Sequence, residues 1–169
     1  TMNDQRTEHL VFIPCSIAMA RSLLLHAEAL RKNAPVYIPD CFPTSQAKAT
    51  LPYVIEGLEQ EREPLSWLWF MIDVEKKSLI GELILGKKKS DDTTVQFTFT
   101  FDTFDHEIAF GEECVDWLLS FLANKKIIYV ITEMREGACT AQSMLEQKGF
   151  HCFNKSGFMQ FIRKIASGY

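Results

Sequence analysis

Thr94–Leu122 reads TVQFTFTF, then DTFDHEIAFG, then EECVDWLLSFL, and this stretch decides the fold. In its first eight residues apolar and polar side chains alternate, which is the period of a β-strand with one apolar face. From Cys114 onward apolar residues recur every three or four positions, as on a helix with one buried stripe. The stretch therefore predicts a strand, a turn that ends at Gly111, and a helix whose exposed N-terminal N–H groups can bind an anion.

The composition is ordinary for a soluble globular protein, because 47% of the 169 residues are hydrophobic and 24% are charged. This length predicts one domain over residues 1–169. The net charge of −4 argues against a nucleic-acid partner, and the chain has no apolar run of bilayer length, so we expect no membrane span. The five cysteines contain no C-x-x-C pair, and the N-terminus has no apolar signal region, so a reduced, cytoplasmic setting is expected.

Turn residues and apolar periods divide the rest of the chain into alternating elements. Ser16 and Thr44 are predicted N-caps of the first two helices, and Pro52 is expected to kink or restart the second. The predicted elements are a strand over 9–13, helices over 16–33 and 44–58, strands over 67–74, 79–85, 94–101 and 127–132, a helix over 137–148, and a closing hairpin. The order βααβββαβαββ indicates an α/β (α+β) fold with a mixed, mostly antiparallel sheet and helices on both faces.

Five segments carry a resemblance to a known family. They are IPCSIAMA at 13–20, IPDCFP at 38–43, SLIGELI at 78–84, TVQFTF at 94–99 and SMLEQKGF at 143–150. In this order and spacing the chain resembles the GNAT acyltransferases, and in particular their ribosomal-protein N-acetyltransferase branch. The resemblance covers about residues 10–163 and implies the acyltransferase fold.

The resemblance implies an acetyl-CoA-dependent N-acetyltransferase in which a primary amine attacks the thioester directly. The acceptor would be a small molecule or a peptide, and the protein a monomer or homodimer. One alternative is a catalytically degenerate domain of the same fold with a binding or regulatory role. Another is an acyltransferase that uses a different acyl donor.

The resemblance also implies which residues contact acetyl-CoA. A backbone N–H near Thr100 to Asp102 would polarise the thioester carbonyl, and the turn before the helix would hold the pyrophosphate. In that turn His106 stands where the family has arginine, and Ala109 where it has glycine, so the pyrophosphate loop is degenerate. The implied cofactor-binding residues are Phe99, Thr100, Phe101, Asp102, His106, Glu107, Ile108, Ala109, Phe110, Gly111, Ala138 and Ala141.

Acyl transfer to an amine needs a base, and two carboxylates on predicted strands are candidates. They are Glu82 and Glu133, which could act directly or through water, or could be structural groups. Three aromatic residues are candidate walls of the acceptor pocket or simply pack under a loop. They are Tyr37, Phe42 and Tyr53.

Acidic residues crowd the predicted anion site. They are Asp102, Asp105, Glu107, Glu112 and Glu113, and they stand around a single histidine. Because like charges oppose phosphate binding, we expect weak affinity for acetyl-CoA.

We also expect the Thr94 strand to pair with the Ile127 strand over only part of its length.

Overall fold

A computed structural model of the chain describes residues 2–61, 67–88, 91–135, 137–154 and 157–165. In chain order its elements are β1 (Gln5–Arg6), β2 (Leu10–Pro14), α1 (Ile17–Leu25), α2 (Ala27–Asn33), α3 (Ser45–Glu59), β3 (Leu68–Asp73), β4 (Ser78–Lys88), β5 (Asp91–Phe101), α4 (Phe104–Ala123), β6 (Tyr129–Arg135), α5 (Cys139–Gln147), β7 (His151–Asn154) and β8 (Phe158–Lys164). The predicted order is correct except for the added strand β1 and the division of the first helix into α1 and α2.

The strands form one sheet in the order β1-β2-β3-β4-β5-β6-β8-β7. Strands β1 to β4 pair with their neighbours in antiparallel fashion, as do β6 with β8 and β7 with β8. The β5–β6 pair is parallel. The predicted α/β (α+β) class with a mixed, mostly antiparallel sheet is therefore confirmed.

The chain divides into two compact units. The first unit contains Thr1–Ile84 with Phe99–Glu107, and the second contains Leu85–Thr98 with Ile108–Tyr169. One domain over residues 1–169 remains a prediction. No helix in the described parts of either unit is both long enough and apolar enough to cross a membrane.

Side-chain caps begin two helices of the first unit at the predicted residues. The Met19 N–H donates to the Ser16 hydroxyl at 3.1 Å, and the Ala47 N–H donates to the Thr44 hydroxyl at 3.2 Å. Each cap satisfies an N–H that the helix itself cannot pair, so both predictions are confirmed. Pro52 lies inside the continuous helix α3, so the helix does not restart there.

The predicted helix over 16–33 is interrupted at His26. This residue has φ −141° and ψ 42°, which is not helical, and its N–H donates to the Ser22 carbonyl as α1 ends. Its own carbonyl then accepts from the Leu30 N–H and begins α2. Apolar periodicity continues across the break, so the sequence pattern did not reveal it.

The core of the first unit lies where α1 and α3 pack against β3 and the start of β4. Its buried residues are Cys15, Ala20, Phe42, Ala47, Leu51, Val54, Leu68, Phe70, Ile72 and Leu79. The register places Phe70 opposite Glu82, so these two neighbouring side chains share one face of the sheet. That face therefore carries a buried carboxylate among apolar side chains.

In the second unit β5 and β6 pair over a short segment. The registered pairs run from Thr94–Tyr129 to Gln96–Ile131, although β5 continues to Phe101 and β6 to Arg135. Immediately after the last pair, the buried Thr132 hydroxyl donates to the Phe97 carbonyl at 2.9 Å. A side chain thus takes the place of the next ladder bond, and the predicted partial pairing is confirmed.

Helix α4 buries the stripe that the sequence predicted from Cys114 onward. Its buried residues are Gly111, Cys114, Val115, Trp117, Leu118, Phe121 and Leu122. The helix begins at Phe104, however, so the segment predicted as a turn ending at Gly111 is helical. Thr103 starts it, since its hydroxyl accepts from the His106 N–H at 3.1 Å and its carbonyl from the Glu107 N–H at 3.1 Å.

Replacing Thr132 by valine tests the side-chain bond at the point where β5 and β6 stop pairing. Valine keeps the shape but cannot donate the hydrogen bond to the Phe97 carbonyl, so we expect Thr132→Val to lower the free energy of unfolding by about 0.5–1.5 kcal/mol. Thr132→Ser keeps the hydroxyl and is the matched control in urea unfolding. A valine variant as stable as the serine variant would contradict the role assigned to this bond.

Candidate functional site

The end of β5 presents its backbone groups alternately to the two edges of the strand. The Asp102 N–H donates to the Ile80 carbonyl of β4 at 2.9 Å. Because N–H groups of alternate residues in a strand point to the same edge, the Thr100 N–H also faces β4, and the Phe101 N–H faces the other edge. Of the three amides predicted near the thioester carbonyl, only that of Phe101 points away from β4.

Glycine at position 81 allows β4 and the end of β5 to approach closely. A Cβ on Gly81 would lie 2.2 Å from the Met71 methyl and 3.1 Å from the Thr100 carbonyl oxygen. The methionine end could move, but the backbone oxygen could not do so without shifting β5. Gly81 therefore helps to fix the position of the predicted thioester residues.

The aromatic residues at this strand end also contact each other. The rings of Phe99 and Phe101 stack with centroids 6.2 Å apart, and both side chains are half-buried. Phe99, Thr100 and Phe101 thus end β5, and Asp102 follows them directly, all within the first unit.

The N-terminus of α4 lies earlier than the predicted pyrophosphate loop. Thr103 satisfies the N–H groups of His106 and Glu107, which leaves those of Phe104 and Asp105 without an acceptor among the described residues. Exposed N–H groups at a helix start are the ones that can bind an anion. The amides available to a phosphate are therefore those of Phe104 and Asp105, because residues Ile108–Gly111 lie within the helix.

A carboxylate and an imidazole pair at this helix start. His106 Nδ1 lies 2.5 Å from Asp102 Oδ1, and the exposed fractions of the two side chains are 24% and 14%. With the carboxylate ionised, Nδ1 carries the hydrogen and Nε2 is left as the acceptor nitrogen of the neutral ring. Asp102 therefore helps to fix the orientation of the His106 ring.

Further carboxylates occupy the first turn of α4. Asp105 and Glu107 lie there, and both are exposed. Acidic side chains at a helix N-terminus stabilise the helix by about 0.3–1 kcal/mol each. The same charges oppose a phosphate at that end.

Glu82 is fully buried, and both of its oxygens accept hydrogen bonds from one residue. The Thr44 N–H donates to Oε1 at 2.8 Å, and the Thr44 hydroxyl donates to Oε2 at 2.7 Å. Burial raises the pKa of Glu82 above its usual value of 4.5, and the two bonds from Thr44 partly offset that rise. Glu82 thus anchors the start of α3 to β4.

Cys41 lies near two of these carboxylates in the first unit. Burial, followed by the negative charge of Asp102, raises the pKa of the Cys41 thiol, and Glu82 and Asp40 add to the effect. This shift favours the protonated, less nucleophilic form of the thiol. The segment before α3 thus lies within electrostatic reach of both Asp102 and Glu82.

The remaining predicted site residues belong to the second unit. Glu133 is exposed on β6, where its Oε1 accepts from the Gln160 amide at 2.7 Å across the β6–β8 pair. Ala138 precedes the first residue of α5, and Ala141 is half-buried within that helix. Gly111 packs in α4, where a Cβ would lie 3.8 Å from the Met144 methyl.

The three candidate wall residues have different environments. Phe42 is buried, with 1% of its surface exposed, whereas Tyr37 and Tyr53 are 67% and 71% exposed. Phe42 is therefore a core residue, and the two tyrosines lie on the surface. Among the described residues no cluster of His, Cys, Asp and Glu has the arrangement of a metal site.

The pairing of Asp102 with His106 and of Glu82 with Thr44 was missed in the sequence. The first pair has a local signal, since residues four apart across a helix start can meet. Thr44 and Glu82 are 38 residues apart, and no local pattern connects them.

The raised pKa of Glu82 predicts how stability changes with pH. The folded protein holds the proton of Glu82 more tightly than the unfolded chain does. The stability that this proton contributes is therefore fully present below the usual pKa of 4.5. It is lost as the pH rises through the higher pKa of the folded protein. Glu82→Gln removes this titration. We expect the stability of the native protein relative to Glu82→Gln to fall as the pH rises above 4.5, measured by urea unfolding at several pH values. A difference that does not change with pH would contradict the shift.

Comparisons with known proteins agree with this fold, although no family model matches the sequence and no curated protein matches it. A GNAT-family acetyltransferase structure from Bordetella pertussis has a TM-score of 0.66 at 13% identity, with 96% of this chain and 99% of that chain covered. A structure described as a ribosomal-protein-serine acetyltransferase, from Vibrio cholerae, has a TM-score of 0.62 at 10% identity, with 96% and 97% covered.

A third similar structure is described as a nucleotide-linked sugar GNAT. It has a TM-score of 0.65 at 10% identity and covers 97% of this chain and 91% of that chain. These identities are low, so the likeness concerns the backbone and not the site residues. The chain has the fold of the GNAT acetyltransferases.

Proposed function

We propose that this protein is an acetyl-CoA-dependent N-acetyltransferase in which a primary amine attacks the thioester carbonyl directly. The observation that carries the proposal is the hydrogen bond from the Asp102 N–H to the Ile80 carbonyl in a chain with the GNAT fold, because strand alternation then directs the Phe101 N–H to the edge of β5 away from β4. A backbone N–H fixed by its strand needs no rearrangement to donate to a developing oxyanion.

The reaction requires one new bond, one broken bond and one proton transfer. The amine nitrogen bonds to the thioester carbon, the carbon–sulfur bond breaks, and coenzyme A leaves as the thiolate. The amine gives up a proton to a base, and that proton can then reach the thiolate. In this proposal the protein supplies the Phe101 N–H and the base, and it needs no covalent nucleophile.

Three groups are candidates for the base. Glu82 and Glu133 are the carboxylates expected from the sequence, and His106 is added by its pairing with Asp102 at 2.5 Å. His106 is the strongest of the three, because both oxygens of Glu82 are bonded to Thr44 and Glu133 is bonded to Gln160 on the surface.

The diphosphate of acetyl-CoA meets opposing charges at the start of α4. One like-charge contact at about 4 Å costs on the order of 4 kcal/mol near a protein surface before salt reduces it, whereas a helix N-terminus stabilises an anion by about 0.3–1 kcal/mol. Because Asp105 and Glu107 are exposed, solvent and salt screen most of this repulsion. The repulsion that remains still weakens the binding of the diphosphate. We therefore propose weak binding of acetyl-CoA. Within the proposal, the Phe104 and Asp105 amides contact the diphosphate, and Ala138 and Ala141 stay candidate contacts.

The proposed acceptor is a primary amine on a peptide or a small molecule. The names of the similar structures mention a ribosomal protein in one case and a nucleotide-linked sugar in another, so they do not choose between these two classes. The proposal places the reaction in the cytoplasm, in a monomer or homodimer, without nucleic acid or membrane.

Removing the imidazole tests the function and the base together. We expect purified protein to transfer acetyl groups from acetyl-CoA to members of a panel of primary amines and amino-terminal peptides. His106→Gln should lower kcat by about 10²–10⁴-fold, and Asp102→Asn should lower it less and alter the pH profile. Glu82→Gln and Glu133→Gln are the matched variants for the other two candidates.

The outcomes separate the alternatives. A loss confined to Glu82→Gln or Glu133→Gln would assign the base to that carboxylate. If no amine is acetylated although acetyl-CoA binds, the proposed transfer is wrong. Turnover with another acyl-CoA and none with acetyl-CoA would show that the donor is wrong.

Neutralising the first turn of α4 tests the charge argument. We expect Asp105→Asn combined with Glu107→Gln to tighten acetyl-CoA binding by roughly two- to tenfold at low salt, and by less at high salt. Glu28→Gln changes one exposed charge in α2 and is the control. Calorimetry measures the affinities, and equal affinity in the native and doubly substituted proteins would show that these charges do not act on the ligand.

A further inference from the structure

The first unit contains an apolar cavity of roughly 360 Å³. Residues from α1, α2, the segment between α2 and α3, and strands β2 to β4 line it; examples are Leu23, Leu30, Val36, Phe42, Phe70 and Leu79. This volume falls in the range of about 300–1,000 Å³ that is typical of small-molecule sites. None of the residues assigned to acetyl transfer under the proposed function lines the cavity, whereas Phe42, a candidate wall residue in the sequence, does.

The lining determines the chemical class that the cavity can hold. Of the fourteen lining residues that the structure describes, only Asn33 has a polar side chain, and none is charged. Transfer of an unpaired charge into such surroundings is strongly unfavourable, whereas apolar surface gains about 25 cal/mol per Å² when it leaves water. A ligand here must be uncharged and mostly hydrocarbon, with at most one polar end to meet Asn33, which is exposed.

Arg31 joins two walls of the cavity through one hydrogen bond. It lies on α2 next to Leu30, and its Nη2 donates to the Phe42 carbonyl. It does not line the cavity. The lining thus offers no cation to pair with a carboxylate ligand, and this favours neutral molecules.

We propose that this cavity is a binding site for a neutral small molecule with an aliphatic body and one uncharged polar end. An apolar cavity of about 150 Å³ binds benzene, which has six heavy atoms. A cavity of roughly 360 Å³ therefore accommodates a ligand of about 14 heavy atoms or fewer. The site does not depend on acetyl transfer, so its test needs no enzymatic activity.

The probes are linear alcohols from butan-1-ol to decan-1-ol, titrated into the full chain by calorimetry. Each methylene that enters the cavity should raise the affinity roughly fourfold, until the chain fills the cavity and the affinity stops rising. Absence of binding across the series would overturn the proposal. Octanoate and octylammonium test the charge: octan-1-ol should bind more tightly than either, and tighter binding of either ion would overturn the neutral class.

Two matched substitutions on α2 and its C-cap locate the site. Ala34, the C-cap of α2, lines the cavity, whereas Ala29 is exposed within α2. Ala34→Leu should weaken octan-1-ol binding at least tenfold, because three added carbons occupy the space, and Ala29→Leu should leave it unchanged. Leu23→Ala enlarges the cavity and should increase the length of the alcohol at which the affinity stops rising. The assignment would be overturned if Ala34→Leu and Ala29→Leu changed the affinity for octan-1-ol equally. It would also be overturned if Leu23→Ala did not change the alcohol length at which the affinity stops rising.

Discussion

The hydrogen bond from the Asp102 N–H to the Ile80 carbonyl, at 2.9 Å, fixes how the end of β5 is presented. It ties one edge of the strand end to β4, so alternation directs the Phe101 N–H to the opposite edge. The side chain of the same Asp102 holds His106. One residue thus sets both the direction of the proposed oxyanion donor and the orientation of the proposed base.

The start of α4 shows a competition between stability and anion binding. Thr103 caps the helix, and the acidic residues Asp105 and Glu107 occupy its first turn, which favours the helix itself. Thr103 accepts from N–H groups that could otherwise bind a diphosphate, and the two carboxylates repel its negative charge. The departure of this loop from the GNAT pattern therefore has a physical reading: the segment continues as helix where a phosphate-binding turn was expected.

Most of the fold could be predicted because its signals are local. The alternation in Val95–Phe101 gave the strand, and Ser16 and Thr44 gave two helix caps. The start of α4 was missed because apolar periodicity reports only buried surface. The first turns of this helix are exposed, with Phe104 at 63% and Ile108 at 54%, so the buried stripe begins about two turns after the helix does.

The site could be predicted only in part. The resemblance pointed to Phe99–Asp102, but the direction of each amide depends on pairing with Ile80, which lies some twenty residues earlier in the chain. Glu82 was found as a carboxylate on a strand, whereas its bonds to Thr44 arise from tertiary packing. The sequence identified the types of residue at the site, whereas their partners follow from contacts between segments that are distant in the chain.

In the proposed reaction the Phe101 amide is the group that meets the thioester carbonyl. Amide NMR of the isotope-labelled protein, titrated with acetyl-CoA and separately with coenzyme A, tests this directly. We expect the Phe101 amide to shift far more with acetyl-CoA than with coenzyme A, and the Thr100 and Asp102 amides to shift less. Equal Phe101 shifts with the two ligands, or a response at Asp102 larger than that at Phe101, would contradict the account.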